Sequence, residues 1–382
     1  MKIVQLTIDN REHYRQYDQE TPWFGTAPEA LLQGFAELPE VEVHVVSCTQ
    51  QPMKSPAKLA ENIYFHSLLV PKLGWLRTGY QGCIRAVRKK VRELQPDIVH
   101  GQGTERDAAL GAVFSGFPNV VTIHGNMASI ARHLQARPGS YLWIAGHLEN
   151  FTLPRTAGVF CNSAYTESVV RPRNRRTWRV PNAVRKVFFA ASPVPRPPTS
   201  QPRLINIGVI SPHKRQVELL SFFKRLHQKG FPGTLDFIGT CSPNDSYCAR
   251  FLENIQEAQE AGYARYLGPF SLEALVAEID RSDACIHVAS QESFGLVVAE
   301  VLARNLKLFA SFVGGIPDIA QGADGAELIA CDDWEALEAR LDNWIQQGCP
   351  KPISAAPLMA ERYHPHRIAL RHLEIYREVI EK

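Results

Sequence analysis

Short apolar runs rich in valine and isoleucine alternate with polar or helically patterned stretches along the whole chain. In the first half, residues 2–9 (KIVQLTID), 41–47 (VEVHVVS), 63–70, 96–101, 120–124 (VVTIH) and 177–180 predict strands, and residues 158–165 (GVFCNSAY) predict a strand followed by a capped helix. Between the first two strands, residues 10–25 form a long polar connection rich in His, Tyr, Arg and Asp, the composition of a binding loop. The string Thr26-Ala27-Pro28-Glu29 then predicts a capping box, with Ala30, Leu31, Leu32, Phe35 and Leu38 on the buried side of its helix. Residues 190–203 (AASPVPRPPTSQPR) hold five prolines, which enter packed elements poorly, and predict a linker. Strands resume at 204–210 (LINIGVI), 235–239, 264–267, 284–289 (ACIHVA) and 306–312. The helical stretches between and after them include 272–281, 294–304 and 334–344. A last helix, 366–382, has Leu370, Leu373, Tyr376 and Ile380 on one side. The pattern predicts an α/β protein with one domain over 1–189, a second over 203–362, and a terminal helix over 363–382.

A length of 382 residues suits two such domains, and 45% hydrophobic with 21% charged residues is the composition of a soluble globular protein. The first residues enter a strand directly, unlike a secretory signal, and no apolar run has the length of a membrane-spanning helix. Eight cysteines without a CxxC pair, among them Cys48, Cys161 and Cys285 in strand-like runs, suggest reduced buried thiols and a cytoplasmic setting. Charge changes the picture more. The net +3 divides into 24 Lys+Arg against 15 Asp+Glu through Arg196 and 18 against 24 beyond it. A basic first half points to an acidic partner. No nucleic-acid-binding signature accompanies it, so the expected partner is an anionic acceptor or membrane surface rather than nucleic acid. Residues 72–92 combine seven Lys or Arg with Leu73, Trp75, Leu76, Tyr80, Ile84, Val87 and Val91. Such a stripe reads equally as a peripheral membrane contact and as a helix whose apolar side enters the core.

The chemistry concentrates in residues 290–318, SQESFGLVVAEVLARNLKLFASFVGGIPD. A buried strand leads to a polar loop and a helix, with Glu292 in the loop and Glu300 in the helix. A helix start after a strand offers backbone N–H groups to an anion. A ligand with phosphate at the helix start and hydroxyls on either side, such as a nucleotide-sugar, fits this arrangement. His100 and His124 each end a predicted strand, where open α/β sheets bind ligands. GQGTER after His100 approaches a dinucleotide fingerprint, but Arg106 stands in place of its last glycine, which argues against a NAD site.

SQESFGLVVAE followed by GGIPD resembles the donor site of the retaining glycosyltransferases of family 4, which have the GT-B fold of two Rossmann-like domains facing across a cleft and a C-terminal helix crossing back to the first. Gly25-Thr26, His124-Gly125, Pro181-Asn182-Ala183-Val184 and the segment GVISPHK ending at Lys214 extend the resemblance over most of the chain. It implies transfer of a hexose-type sugar, from a UDP-sugar before GDP-mannose, to a hydroxyl of a glycan, lipid-linked or small-molecule acceptor, as in polysaccharide biosynthesis. By resemblance Glu300 holds the ribose diol, and Glu292, Ser293, Phe294, Gly295 and Leu296 grip sugar hydroxyls and phosphate. Gly25, Thr26, Gly208 and Lys214 serve the diphosphate, with Arg215 as a further cation. His124, Lys214 and Glu292 are the catalytic candidates, and His100 and Asn126 are placed on the acceptor side. The leaving phosphate takes the acceptor proton in this family, so no general base is assigned. No D-x-D pair occurs, and neither metal nor cofactor is expected. The chain departs from the family pattern at Val209, where arginine is usual, and at Ala183, Asn305 and Lys307. A nucleotide-sugar 2-epimerase of the same fold, or a binding protein without turnover, remain as alternatives.

Overall fold

The apolar runs become two sheets in a computed structural model that describes residues 1–190, 200–242 and 244–381. Residues 191–199, most of the predicted proline-rich linker, lie outside the described residues. The chain divides into two units, Met1–Arg185 with Tyr363–Lys382, and Lys186–Arg362. The second unit therefore begins before the proline-rich stretch. Phe188 is fully buried, and Arg304 Nη1 donates to the Ala190 carbonyl at 2.6 Å, which ties the turn Lys186–Phe189 to that unit.

The first unit holds β1 (Lys2–Leu6), β2 (Glu42–Thr49), β3 (Lys58–Ala60), β4 (Ile63–Leu69), β5 (Ile98–Gln102), β6 (Asn119–Ile123), β7 (Val159–Cys161) and β8 (Thr177–Arg179). Their order is β3-β4-β2-β1-β5-β6-β7-β8, parallel throughout except where β3 meets β4. The second unit holds β9 (Arg203–Ile207), β10 (Thr234–Ile238), β11 (Ala264–Gly268), β12 (Ala284–His287), β13 (Lys307–Ser311) and β14 (Ala326–Ile329), in the order β11-β10-β9-β12-β13-β14. That is the doubly wound order of a dinucleotide-binding sheet. The winding direction reverses between β9 and β12 in the second unit and between β1 and β5 in the first. Loops leaving the carboxyl ends of those strands part there and open a crevice.

The helix Pro365–Ile380 belongs to the first unit and lies against the helix Thr26–Phe35. The two backbones approach so closely that a Cβ on Gly34 would come within 2.1 Å of the Pro365 carbonyl oxygen. Ile368, Leu373, Tyr376 and Val379 enter the core with Phe35 and Phe160. The helix Gln81–Leu94 buries Cys83, Ile84, Val87 and Val91, so the apolar side of the basic stripe faces the core while Arg85, Arg88 and Lys89 face outward.

The loop 10–25 is organised around a buried ion pair. Arg11 is fully buried, its Nη2 lies 2.6 Å from Asp9 Oδ2, and its Nη1 donates to the carbonyls of Gln19 and Lys54 at 2.7 and 3.1 Å. The capping box predicted at Thr26 does not form. Gly25 is the N-cap, with its carbonyl accepting from Glu29 N at 3.0 Å, which moves Thr26 into the first turn where its side chain cannot cap. All eight cysteines are free thiols.

Candidate functional site

In the second unit, the loop after β9 and the loop after β12 meet at the reversal point. Ser290 N donates to the His213 carbonyl at 2.8 Å. Gln216, fully buried, braces the first loop by accepting from Ser211 N and donating to the Val209 carbonyl, each at 3.2 Å. This stitching brings Lys214 Nζ onto Glu292 Oε2 in a tight ion pair. His287, the last residue of β12, donates from Nε2 to the same carboxylate oxygen at 3.3 Å. Burial alone would push the Glu292 carboxyl up, but the Lys214 charge and the His287 ring outweigh it and hold it down at about 2. Burial, and then the Lys214 charge, lower the His287 pKa below its ordinary value. The centre is thus an ammonium, a carboxylate and a neutral imidazole.

The Gly314-Gly315 turn after β13 supports this centre from the other side. Gly315 N donates to the Glu292 carbonyl at 3.1 Å. A Cβ on Gly314, whose φ is 55°, would fall 1.6 Å from that same oxygen, and one on Gly315 would fall 2.6 Å from the Ser293 carbonyl oxygen. The pair of glycines is therefore a packing requirement of the Glu292 loop. Gly295 (φ 100°) caps the helix Leu296–Leu302, whose first amides have no intrahelical acceptor, and Glu300 is 4% exposed within that helix. At its end Asn305 adopts φ 52° and Leu306 N reaches back to the Val301 carbonyl at 3.0 Å, the left-handed closure expected of asparagine there. Gly208 (φ 151°) follows β9, and Val209 beside it is 60% exposed. Arg215 is turned to Asp332 and lies over the Trp334 ring, 5.3 Å from its centroid.

The candidates in the first unit fare differently. His124 follows β6, and its Nε2 donates to Gln102 Oε1 at 2.9 Å. Burial holds its ring at about 4, with Asn182 pulling weakly the other way. His100 is wholly enclosed, accepting at Nδ1 from the Tyr376 hydroxyl and donating from Nε2 to Thr122 Oγ1 at 2.6 Å. Its ring stacks on Phe160 at 5.1 Å. Both nitrogens are engaged beneath the C-terminal helix, so the acceptor-side placement of His100 gives way to a core role. Asn126, 1% exposed and directed at Thr166, is likewise removed from any surface. Gly25 has an ordinary φ of −62°, and a Cβ there would meet nothing nearer than the Pro28 ring at 3.6 Å. The fold itself does not require glycine at this position.

His287 reads in the sequence as one more residue of the run ACIHVA. Its signal is a polar ring at the last position of a buried strand, followed five residues later by a carboxylate. Cys48, Cys83 and Asp107 bring potential metal-ligand atoms within 4.8 Å of one another in the core of the first unit. The hydrogen bond to Cys83, burial and Asp107 all hold the Cys48 thiol protonated.

Two family models match the chain in tandem. The model described as Glycosyltransferase Family 4 matches residues 29–186, and that described as Glycosyl transferases group 1 matches residues 189–356. No curated protein matches the sequence. Solved structures match over nearly the full length at low identity. Sucrose-phosphate synthase from Thermosynechococcus elongatus superposes with a TM-score of 0.79 at 16% identity, covering 100% of this chain and 99% of that one. HepE from Anabaena, in complex with UDP and glucose, gives 0.72 at 15% over 99% and 100%. The lipopolysaccharide outer core galactosyltransferase WaaB in its apo form gives 0.68 at 15% over 98% and 99%. Likeness at these identities is likeness of fold.

Proposed function

We propose that this chain, which belongs to glycosyltransferase family 4 and has the GT-B fold, transfers a hexose from a UDP-sugar to an acceptor hydroxyl with retention of anomeric configuration. The observation that carries the reading is the Lys214–Glu292–His287 cluster at the reversal point between β9 and β12. A diphosphate entering that crevice competes with Glu292 for the Lys214 ammonium and meets the first amides of the helix Leu296–Leu302. As the sugar–phosphate bond breaks, negative charge grows on the leaving diphosphate, and Lys214 stabilises it where it develops. Glu292, released from Lys214 and still held by His287, is left to accept from sugar hydroxyls. Glu300 takes the ribose diol, a task suited to the two acceptor oxygens of a carboxylate. A UDP-sugar is favoured because HepE, a fold relative, was solved with UDP and with UDP-glucose.

In this reading Lys214 rather than a metal offsets the diphosphate charge, and EDTA leaves turnover unchanged. Gly25, Thr26 and His124 carry donor roles by family resemblance, and each is tested separately by substitution. A peripheral contact with anionic membranes rests on Leu69 and Leu73, 57% and 71% exposed beside the basic segment, and is checked by sedimentation with anionic vesicles. The second reading, a nucleotide-sugar binder without turnover, is favoured by Val209, exposed where the family has arginine.

The test is thermal shift of the wild type and Glu300→Ala with UDP, GDP and ADP separately. A ligand at 100 times its dissociation constant stabilises by roughly 2.7 kcal/mol. UDP is expected to raise the wild-type Tm and to leave the variant unmoved. No response to any diphosphate would overturn the reading, and UDP binding without UDP release from UDP-sugars in the presence of acceptors would select the second one.

A further inference from the structure

A chain of enclosed polar side chains runs through the first unit from the C-terminal helix to His124. It begins at Tyr376, fully buried on that helix, whose hydroxyl meets His100 Nδ1. Burial pushes the phenol well above its ordinary pKa, so it keeps its proton. A phenol is the better donor of the two and an imidazole nitrogen the better acceptor, which sets the direction of this bond. Burial also lowers the His100 pKa well below its ordinary value, so the ring is neutral. Its one N–H is at Nε2 and goes to Thr122 Oγ1 at 2.6 Å. His100 Nδ1 can then only accept.

Gln102, the last residue of β5 and 3% exposed, continues the chain. Its Nε2 faces His100 Nδ1 at 3.4 Å, and its Oε1 faces His124 Nε2 at 2.9 Å. The amide is held this way round by His100. Turned over, its oxygen would confront the lone pair of Nδ1. An amide oxygen only accepts, so His124 Nε2 carries the hydrogen of its ring.

The other edge of His124 is then defined as well. Burial holds the ring neutral, its pKa at about 4, and a neutral ring with hydrogen at Nε2 has a bare lone pair at Nδ1. That nitrogen is buried and makes no hydrogen bond of normal geometry among the described residues, and Asn182 acts on the ring only weakly. An enclosed acceptor without a donor is costly, and a ligand hydroxyl relieves the cost. A phosphate oxygen does not, because it brings a second lone pair.

We propose that Gln102 is a positioning residue for glycosyl transfer: it fixes His124 as the Nε2–H tautomer, so that Nδ1 accepts from a hydroxyl of the bound hexose. The hexose rests on the glycosyl-transfer reading and on the donor role of His124, while the tautomer rests on the polar chain alone. His124 thereby recognises the sugar and not the diphosphate.

Ring-nitrogen NMR of the full chain with isotope-labelled histidine tests it, beside titration with UDP and with whichever UDP-hexose binds best. H124Q identifies the His124 signals among the thirteen histidines. Wild type is expected to show hydrogen at Nε2 and a bare Nδ1 at neutral pH. Q102M, similar in size but without the acceptor, is expected to show both tautomers. Its affinity for the UDP-hexose relative to UDP is expected to fall about fivefold, the value of one hydrogen bond. Q102E sets a carboxylate against Nε2 and is expected to keep the tautomer while moving the His124 titration to higher pH. A side chain that serves packing alone would move neither tautomer nor titration. Hydrogen at Nδ1 in the wild type, or unchanged His124 signals in Q102M, overturns the proposal. If Q102M loses its UDP response and so its fold, an unchanged His124 titration in Q102E overturns it instead. Mixed tautomers in Q102M with an unchanged hexose preference overturn the link to the sugar. The expected tautomer without any UDP response in the wild type removes the transferase reading and leaves a fixed histidine.

Discussion

The two units share a sheet plan and differ in what stands where the strand order reverses. In the second, two loops are stitched by backbone contacts, and opposite charges already neutralise one another in the Lys214–Glu292 pair. In the first, a cavity lined by five separate segments sets Arg106 3.9 Å from Asp107, with Arg15 and Lys72 also in its lining. A site whose charges are internally matched holds its shape before ligand arrives, and ligand must displace one partner. A lining with more cations than carboxylates favours negative charge without displacing an existing partner.

Glycine is a steric requirement in the second unit's loop. Gly314→Ala forces a Cβ against the Glu292 carbonyl at a positive φ, so a loss of about 4 kcal/mol or more of stability in the second unit is expected, along with the UDP response. Chemical denaturation and hydrogen exchange read this out, and a near-wild-type midpoint would show that the loop yields.

Acid sharpens the contrast next. His66, His100, His124 and His372 in the first unit, and His287 in the second, all have folded pKa values lowered chiefly by burial. A lowered histidine pKa means that the unfolded chain protonates first, so stability present above pH 6.5 is lost as pH falls toward the folded value. For His372, displaced from 6.5 to about 4, this is on the order of 3 kcal/mol. Glu292, at about 2, contributes stability that is present above about 4.5 and lost only between there and 2. Amide protection is expected to fail first in the first unit between pH 6.5 and 4. Glu292→Gln is expected to flatten the remaining pH dependence below 4.5 in the second. Simultaneous loss of protection in both units would show that the buried histidines of the first do not set its acid limit.

Tyr376→Phe removes one hydrogen bond to His100 while keeping the ring packing, and about 1 kcal/mol is expected from denaturation midpoints. The smallest effect is Gly25→Ala. With room for the Cβ and an ordinary φ, stability is expected to change by less than about 0.5 kcal/mol, so any weakening of UDP affinity in titration reports on the ligand alone.

Local patterns were legible where the physics is local. The helix Leu272–Arg281 follows its predicted bounds, the strands around 284–289 and 306–312 form with shorter ends, and Asn305 takes the left-handed turn its side chain tolerates. The string around Glu292 and Glu300 marked the family because its residues lie close together in sequence. The capping box failed by a single residue, since Gly25 accepts the extended N-cap conformation as readily as Thr26 would and the flanking packing decides between them.

The two α/β halves and the family were thus readable from residues near one another in the chain, because periodicity and contiguous motifs encode them. Long-range packing brings Lys214 to Glu292 across 78 residues and sets His287 against the same carboxylate. It likewise placed His100 beneath a tyrosine 276 residues away rather than at a surface, and enclosed Arg106 against Trp75. Burial and partner choice between distant residues depend on which elements pack together, and that choice is made by the whole chain at once.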